Sequence, residues 1–321
     1  MGLSFYLGQS FAQHALLAGT LIAVIAGVVG PFVVTRGMAF AVHGTAELSF
    51  TGAAAGLLIN GDAVTGALVG SVVVASAIGA LGGRERERDS AIGVILAFGL
   101  GAGILLLSQY RGFASAATNI LFGQVFGISS HQLYLLLGVA VLVLAAMAVL
   151  NRPLTFASVD PDVAAARGVR TRLVGILFLF VLALTVTEAA QIVGTLLVLS
   201  LAITPAAAAQ RLSARPATVT GLSVLFALIA ADGGLLLSLE FGDVKASVFV
   251  TSLSFVIYLT ARLGGAALRA GRRGQAPVAR QGGHSAVGDR PPGIPTAYPT
   301  TVDVGGQVDP RGEQATLPVA Q

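Results

Sequence analysis

The sequence predicts an all-α, polytopic membrane protein with about nine transmembrane helices, eight being the alternative count, and three observations predict it. Hydrophobic residues make up 55% of the 321 residues and charged residues only 11%, with a mean hydropathy of +0.85, far from the composition of a soluble domain. Apolar stretches near the ~20 residues needed to cross a hydrocarbon core recur along the chain. The basic residues, all arginine except Lys245, fall almost entirely on one side of the resulting topology.

Taken in order, the expected spans are 15–35, 46–60, 62–81, 90–108, 131–150, 173–189, 191–209, 219–239 and 244–263. The second and sixth are short for a full crossing and read as tilted or broken helices. With the N-terminus outside, Arg36, Arg84, Arg86, Arg88, Arg152, Arg167, Arg170, Arg172, Arg211, Arg215 and Arg262 face inward, and only Arg111 and Lys245 face outward. That bias puts the C-terminus in the cytoplasm and the chain in the plasma (inner) membrane. Segment 112–130 is less apolar and reads as a short re-entrant or surface helix on the outer side, with His131 at the interfacial start of the next span.

Three domains are expected. Residues 1–14 lack the basic start and small-residue cleavage site of a signal peptide and should lie along the outer interface. Residues 15–263 form the transmembrane domain. Past 263, Pro, Gly, Gln and Arg dominate, so 264–321 is expected to be a disordered cytoplasmic tail in which His284 is simply solvated.

Several chemistries are excluded. There is no cysteine, so any metal must be held by nitrogen and oxygen donors. No G-x-x-x-x-G-K-[ST] loop, G-x-S-x-G elbow or H-E-x-x-H pair occurs, which argues against an enzyme and against nucleotide binding by that loop. The net charge of +4 and pI of 10.0 follow from topology rather than from nucleic-acid binding.

Ionisable groups inside spans cost a few kcal/mol and mark function by default. His43 and Glu47 stand four residues apart, so both reach one helix face, and imidazole with carboxylate suits a divalent transition metal. A mutually hydrogen-bonded couple at a helix start explains the same spacing. Glu188 is expected at an outer helix end, where a carboxylate reaches water cheaply or serves function. Asp232, before two glycines, is expected to cap or kink a broken helix.

The loop after the fifth span is regular. Asp160 precedes Pro161 at the first helical position, Asp162 and Ala166 lie within the turn, and Gly168 stops it. Small residues on one side leave room for a soluble motor domain, although a plain surface helix fits as well.

Residues 30–40 (Gly-Pro-Phe-Val-Val-Thr-Arg-Gly-Met-Ala-Phe) and 52–56 (Gly-Ala-Ala-Ala-Gly) resemble the opening of the zinc and manganese ABC importer permeases, the ABC-3 family. The likeness continues through 91–100, 160–168 and 193–209, in order, and covers residues 11–263. It implies a dimeric permease, paired with itself or a sibling, two cytoplasmic ATP-binding subunits that hydrolyse ATP, and an external metal-binding lipoprotein or periplasmic protein. The ion, Zn²⁺ or Mn²⁺, is cargo moved by alternating access between two permease subunits, and no permanently bound cofactor is implied. The family motif reads Gly-Asp-x-x-Ser-His after Met-Ala, which places its Asp at His43 and its His at Glu47, so the pair is exchanged in order; Thr51 stands where the family has proline. The resemblance implies metal contact by His43 and Glu47, with Glu188 as an outer or intermediate ligand, and ATPase coupling through the 160–168 helix.

Two rivals differ in expected features. A permease for an organic nutrient or metal chelate would want a larger, aromatic-lined cavity, against which the absence of Trp counts. An ATPase-independent carrier or channel would need no motor subunit.

Overall fold

The computed structural model describes residues 8–81, 85–111, 113–195, 198–241 and 244–274. Among them the chain is helical with no strand: α1 (Ser10–Thr35), α2 (Ala39–Ile59), α3 (Ala63–Leu81), α4 (Glu85–Ser108), α5 (Phe113–Phe122), a 3-10 turn (Val125–Gly127), α6 (Ser130–Val159), α7 (Pro161–Ala166), α8 (Thr171–Val193), α9 (Val198–Ala202), α10 (Thr204–Leu212), α11 (Pro216–Phe241) and α12 (Ala246–Gly274). Seven of these, α1, α3, α4, α6, α8, α11 and α12, are long and apolar enough to cross a membrane. They account for seven of the nine expected spans.

The other two differ from expectation for identifiable reasons. The second span is α2, which starts at Ala39 rather than 46 because the polar His43 and Glu47 interrupt the apolar run without interrupting the helix. Its 21 residues give about 31 Å, enough to cross. The seventh is not one helix. Its first residues belong to α8, which ends at Gly194 with φ +89, a conformation open to glycine, and the chain resumes as the short pair α9 and α10, with Pro205 in the first turn of α10. This broken segment packs against α1, α2, α8, α11 and α12. Irregular backbone at such depth is tolerated in membrane proteins where other protein surrounds it.

Boundaries shift elsewhere too. Helix α1 begins at Ser10, inside the expected outer segment, while residues 1–7 lie outside the described residues. Helix α6 runs through Pro153 to Val159, well past the expected end at 150. It opens on a capping box: the Ser129 hydroxyl accepts from the Gln132 N–H, and the Gln132 side chain accepts from the Ser129 N–H. The expected break at Asp232 is absent, because α11 continues through it and the Asp232 carboxylate accepts hydrogen bonds from the Thr20 hydroxyl of α1 at 3.0 and 3.2 Å. Helix α12 continues to Gly274, and 275–321, where most of the expected tail falls, lie outside the described residues.

Small residues set the helix spacing. A side-chain carbon on Gly52 of α2 would overlap the Gly66 carbonyl of α3 and lie 2.9 Å from Gly70 Cα; Gly56 meets Gly66 in the same way. The two Gly-x-x-x-Gly stripes, 52–56 and 66–70, therefore let the α2 and α3 backbones touch, the contact that drives helix association when lipid removes the hydrophobic drive. Gly27 of α1 similarly meets the Val224 backbone of α11.

Gly52→Ala should therefore destabilise the purified protein by about 1–3 kcal/mol through overpacking. Gly101→Ala, at a site with no heavy atom within 4 Å of the added carbon, should leave stability unchanged or slightly raised. Thermal melting in detergent compares the two.

Candidate metal site in the helix bundle

Helix α2 carries the predicted pair. Its neighbours are α3, α4, α5, α8 and α9, so it runs through the interior of one protomer, whereas the resemblance implies a path between two permease subunits. Glu47 is 2% exposed and His43 is half-buried. The imidazole and carboxylate are close enough to interact electrostatically. His43 Nδ1 and Glu47 Oε2 are both buried and lack a hydrogen-bond partner. The couple therefore does not satisfy itself through those two atoms, and two donors with uncommitted lone pairs or protons are left one helical turn apart.

The local sequence explains how α2 holds them. The Thr45 hydroxyl donates to the Ala41 carbonyl at 2.7 Å and so makes no demand on the pair. Thr51 donates to the Glu47 carbonyl at 3.2 Å and to the Gly99 carbonyl of α4. Thr51 thus ties α2 to α4 where a proline would have removed a backbone donor. Gly44 lies against Ile92 of α4, closing that side.

Glu188 departs from expectation. Because α8 extends to Val193, the carboxylate is 1% exposed rather than at a wet helix end. Its Oε2 accepts from Gln191 Nε2 at 3.1 Å, and its Oε1 is buried without a partner. Among the described residues no three His, Cys, Asp or Glu side chains form one group, so Glu188 does not join His43 and Glu47 in a three-ligand cluster.

A cavity of about 130 Å³ lies between α2, α3, α5, the 3-10 turn, α6 and α8, where Thr187 and Gln191, the hydrogen-bond partner of Glu188, reach its wall. Its polar lining includes Ser49, Asn119, Gln124, Thr187, Gln191 and Thr195. The hydroxyls of Thr187 and Thr195 are buried and unpartnered. Backbone hydrogen bonds close the region: the Gln124 N–H donates to the Gln191 carbonyl at 3.2 Å and the Thr195 N–H to the Ile120 carbonyl at 3.3 Å. Sequence reading missed Thr187 and Thr195; the available signal was the run of polar residues 185, 187, 188, 191 and 195 at the end of an otherwise apolar span.

The helix between the fifth and sixth spans forms as expected. The Asp160 carboxylate accepts from the Asp162 and Val163 N–H groups at 3.1 and 3.0 Å, Pro161 opens the helix, and Gly168 with φ +86 ends it. Asp162, Ala166 and Gly168 are exposed and only Ala164 is buried, so one residue anchors α7 while the rest face outward. His131 is exposed in the first turn of α6, and His284 lies outside the described residues.

Residues 9–264 match the model of the family described as "ABC 3 transport family". The chain belongs to the ABC 3 transport family. It is 31% identical over 256 residues to the "Manganese transport system membrane protein MntC" of Halalkalibacterium halodurans, covering 79% of this chain and 87% of that one. It is 26% identical over 247 residues to the "High-affinity zinc uptake system membrane protein ZnuB" of Haemophilus influenzae, covering 76% and 94%. The solved structure "PsaBC from Streptococcus pneumoniae in complex with Fab" superposes with a TM-score of 0.73 at 25% identity, over 81% of this chain and 95% of that chain. The ABC 3 chain is thus a multi-pass membrane permease subunit and not itself an enzyme.

Two substitutions probe the geometry. Thr51→Val, which removes the tie between α2 and α4, should cost about 0.6 kcal/mol, read as a lower melting midpoint. Asp160→Ala, which removes the cap of α7, should cost about 1 kcal/mol locally and speed amide exchange at 162 and 163, measured by hydrogen–deuterium exchange.

Proposed function

We propose that this ABC 3 permease subunit passes a divalent transition metal, Mn²⁺ or Zn²⁺, across the inner membrane by alternating access, with His43 and Glu47 touching the ion in transit. The observation that carries this reading is the pair of unpartnered donor atoms, His43 Nδ1 and Glu47 Oε2, buried one turn apart in a helix surrounded by the protomer's own bundle. A buried carboxylate without a partner is costly, and a divalent cation offsets that cost while it is bound. Two protein donors hold an ion loosely, since a closed four-ligand tetrahedron is the arrangement of a structural site. Loose binding is what passage requires.

The remaining parts rest on arginine placement and on the family resemblance. Arginine placement supports an N-terminus outside and α7 and the C-terminus in the cytoplasm. There α7 meets a separate ATP-binding subunit, which hydrolyses ATP and moves α6 and α8, the two helices that α7 joins. An external metal-binding protein delivers the ion on the other face, and a second permease copy or sibling completes the assembly.

Uptake of ⁵⁴Mn and ⁶⁵Zn by cells carrying the complete transporter tests the ligand assignment. His43→Ala and Glu47→Ala should each reduce uptake at least tenfold, and the double exchange His43→Asp with Glu47→His should keep transport while altering the Mn:Zn ratio. Unchanged uptake in both alanine variants would sink the assignment. For coupling, Gly168→Val, strained at φ +86, should lower uptake per ATP hydrolysed in proteoliposomes. Ion flow down a gradient through the purified permease without its ATPase would overturn the ABC mechanism.

A further inference from the structure

Three observations converge at the outer end of α8. First, Thr187 and Thr195 are 1% and 2% exposed, line the cavity, and have hydroxyl oxygens without hydrogen-bond partners. Ordinary buried threonines in this chain donate back to the helix carbonyl four residues earlier, as Thr45 and Thr185 do, so these two are exceptions. Second, Gln191 lines the same cavity, and its Nε2 donates one N–H to Glu188, which fixes the amide and leaves its carbonyl lone pairs and its second N–H available. Third, the only hydrogen-bond partner of the Glu188 carboxyl among the described residues is that amide, so an acidic side chain lies directly behind the hydroxyl and amide oxygens of the lining. The C-terminal end of α8, whose helix dipole is negative, points to the same region.

Hydroxyl and amide oxygens with open lone pairs, an acidic side chain behind them and the negative end of a helix favour a cation. The absence of histidine and cysteine from the lining favours a hard divalent ion over a soft one. A space of about 130 Å³ holds about four waters at ~30 Å³ each, so an ion there keeps much of its hydration shell and is gripped partly through water. The lining residues Ser49 and Ala53 follow Glu47 on α2 toward its outer end, which sets the cavity on the outer side of the His43–Glu47 pair.

We infer that this cavity is a second cation site, an oxygen-only antechamber in which Thr187, Gln191 and Thr195, backed by Glu188, hold a hydrated Mn²⁺-like ion before it sheds water to reach His43 and Glu47. The inference rests on the metal-permease reading, which it deepens by separating a hydrated holding step from direct coordination. It assigns Thr187 and Thr195 a role in binding and places Glu188 behind the ion rather than in one cluster with the pair.

Equilibrium Mn²⁺ binding to the intact transporter in nanodiscs, counted by electron paramagnetic resonance, with water-proton electron–nuclear double resonance to report retained waters, tests the inference. The complex should bind two Mn²⁺ per permease, one of them more heavily hydrated. Thr187→Val with Thr195→Val, which keeps side-chain shape, and Glu188→Gln should each weaken the hydrated population at least tenfold and leave the other in place. His43→Ala with Glu47→Ala should do the reverse. If the threonine and Glu188 variants retain both populations, or if a single Mn²⁺ binds and disappears only with the His43 and Glu47 variant, the antechamber is overturned. If the His43 and Glu47 variant keeps both populations while the others lose the hydrated one, the ligand assignment of the pair fails and the antechamber stands.

Discussion

How closely α2 can lie against its neighbours decides whether a histidine and a glutamate can be kept inside this bundle at all. A helix bearing two ionisable groups gains little from lipid, and its stability must come from packing and from what surrounds the polar atoms. The stripes Gly52–Gly56 and Gly66–Gly70 supply that packing by bringing two backbones into contact, and Thr51 fastens the other side to α4. With α8 and α9 completing the enclosure, the donor atoms of His43 and Glu47 lose water without gaining a protein partner. Glycine spacing and ligand availability are thus one constraint: loosen the first and solvent satisfies the second.

Much of this architecture can be read from the amino-acid order because its signals are local. Asp160, Pro161 and Gly168 specify the start and end of α7 with no help from tertiary contacts, and the observed cap matches. Seven spans follow from apolar length alone. What failed to be legible was whatever depends on neighbours. An apolar-run criterion starts α2 too late because it treats His43 and Glu47 as boundaries, whereas the backbone hydrogen bonds run through them. It likewise fuses α9 and α10 into one span, since Gly194 and Pro205 are both common in transmembrane helices and only the tertiary contacts of the break reveal it.

The candidate site divides along the same line. Spacing of four residues was enough to put His43 and Glu47 on one face, but not to show that their facing atoms remain unpaired. Glu188 was visible as a charge near a span end; its burial depends on four further residues of α8 remaining helical, to Val193. Thr187 and Thr195 carry no charge and sit on either side of a helix end, so nothing in their order along the chain announces a shared cavity. Neutral hydroxyl groups lining a cavity are the part of a candidate site that sequence hides best, since the same residue types serve elsewhere as helix back-bonders.

The length of α8 has a mechanical consequence. Its 23 residues form a rod about 34 Å long, joined to α7 through a short link at one end and carrying Glu188 and Gln191 near the other. A rotation of about 5° about the α7 end sweeps the far end through about 3 Å, close to the diameter of one water molecule. A small torque at the α7 end is therefore geared into a displacement large enough to admit or expel single waters at the other end, with no need for any residue between to change its conformation.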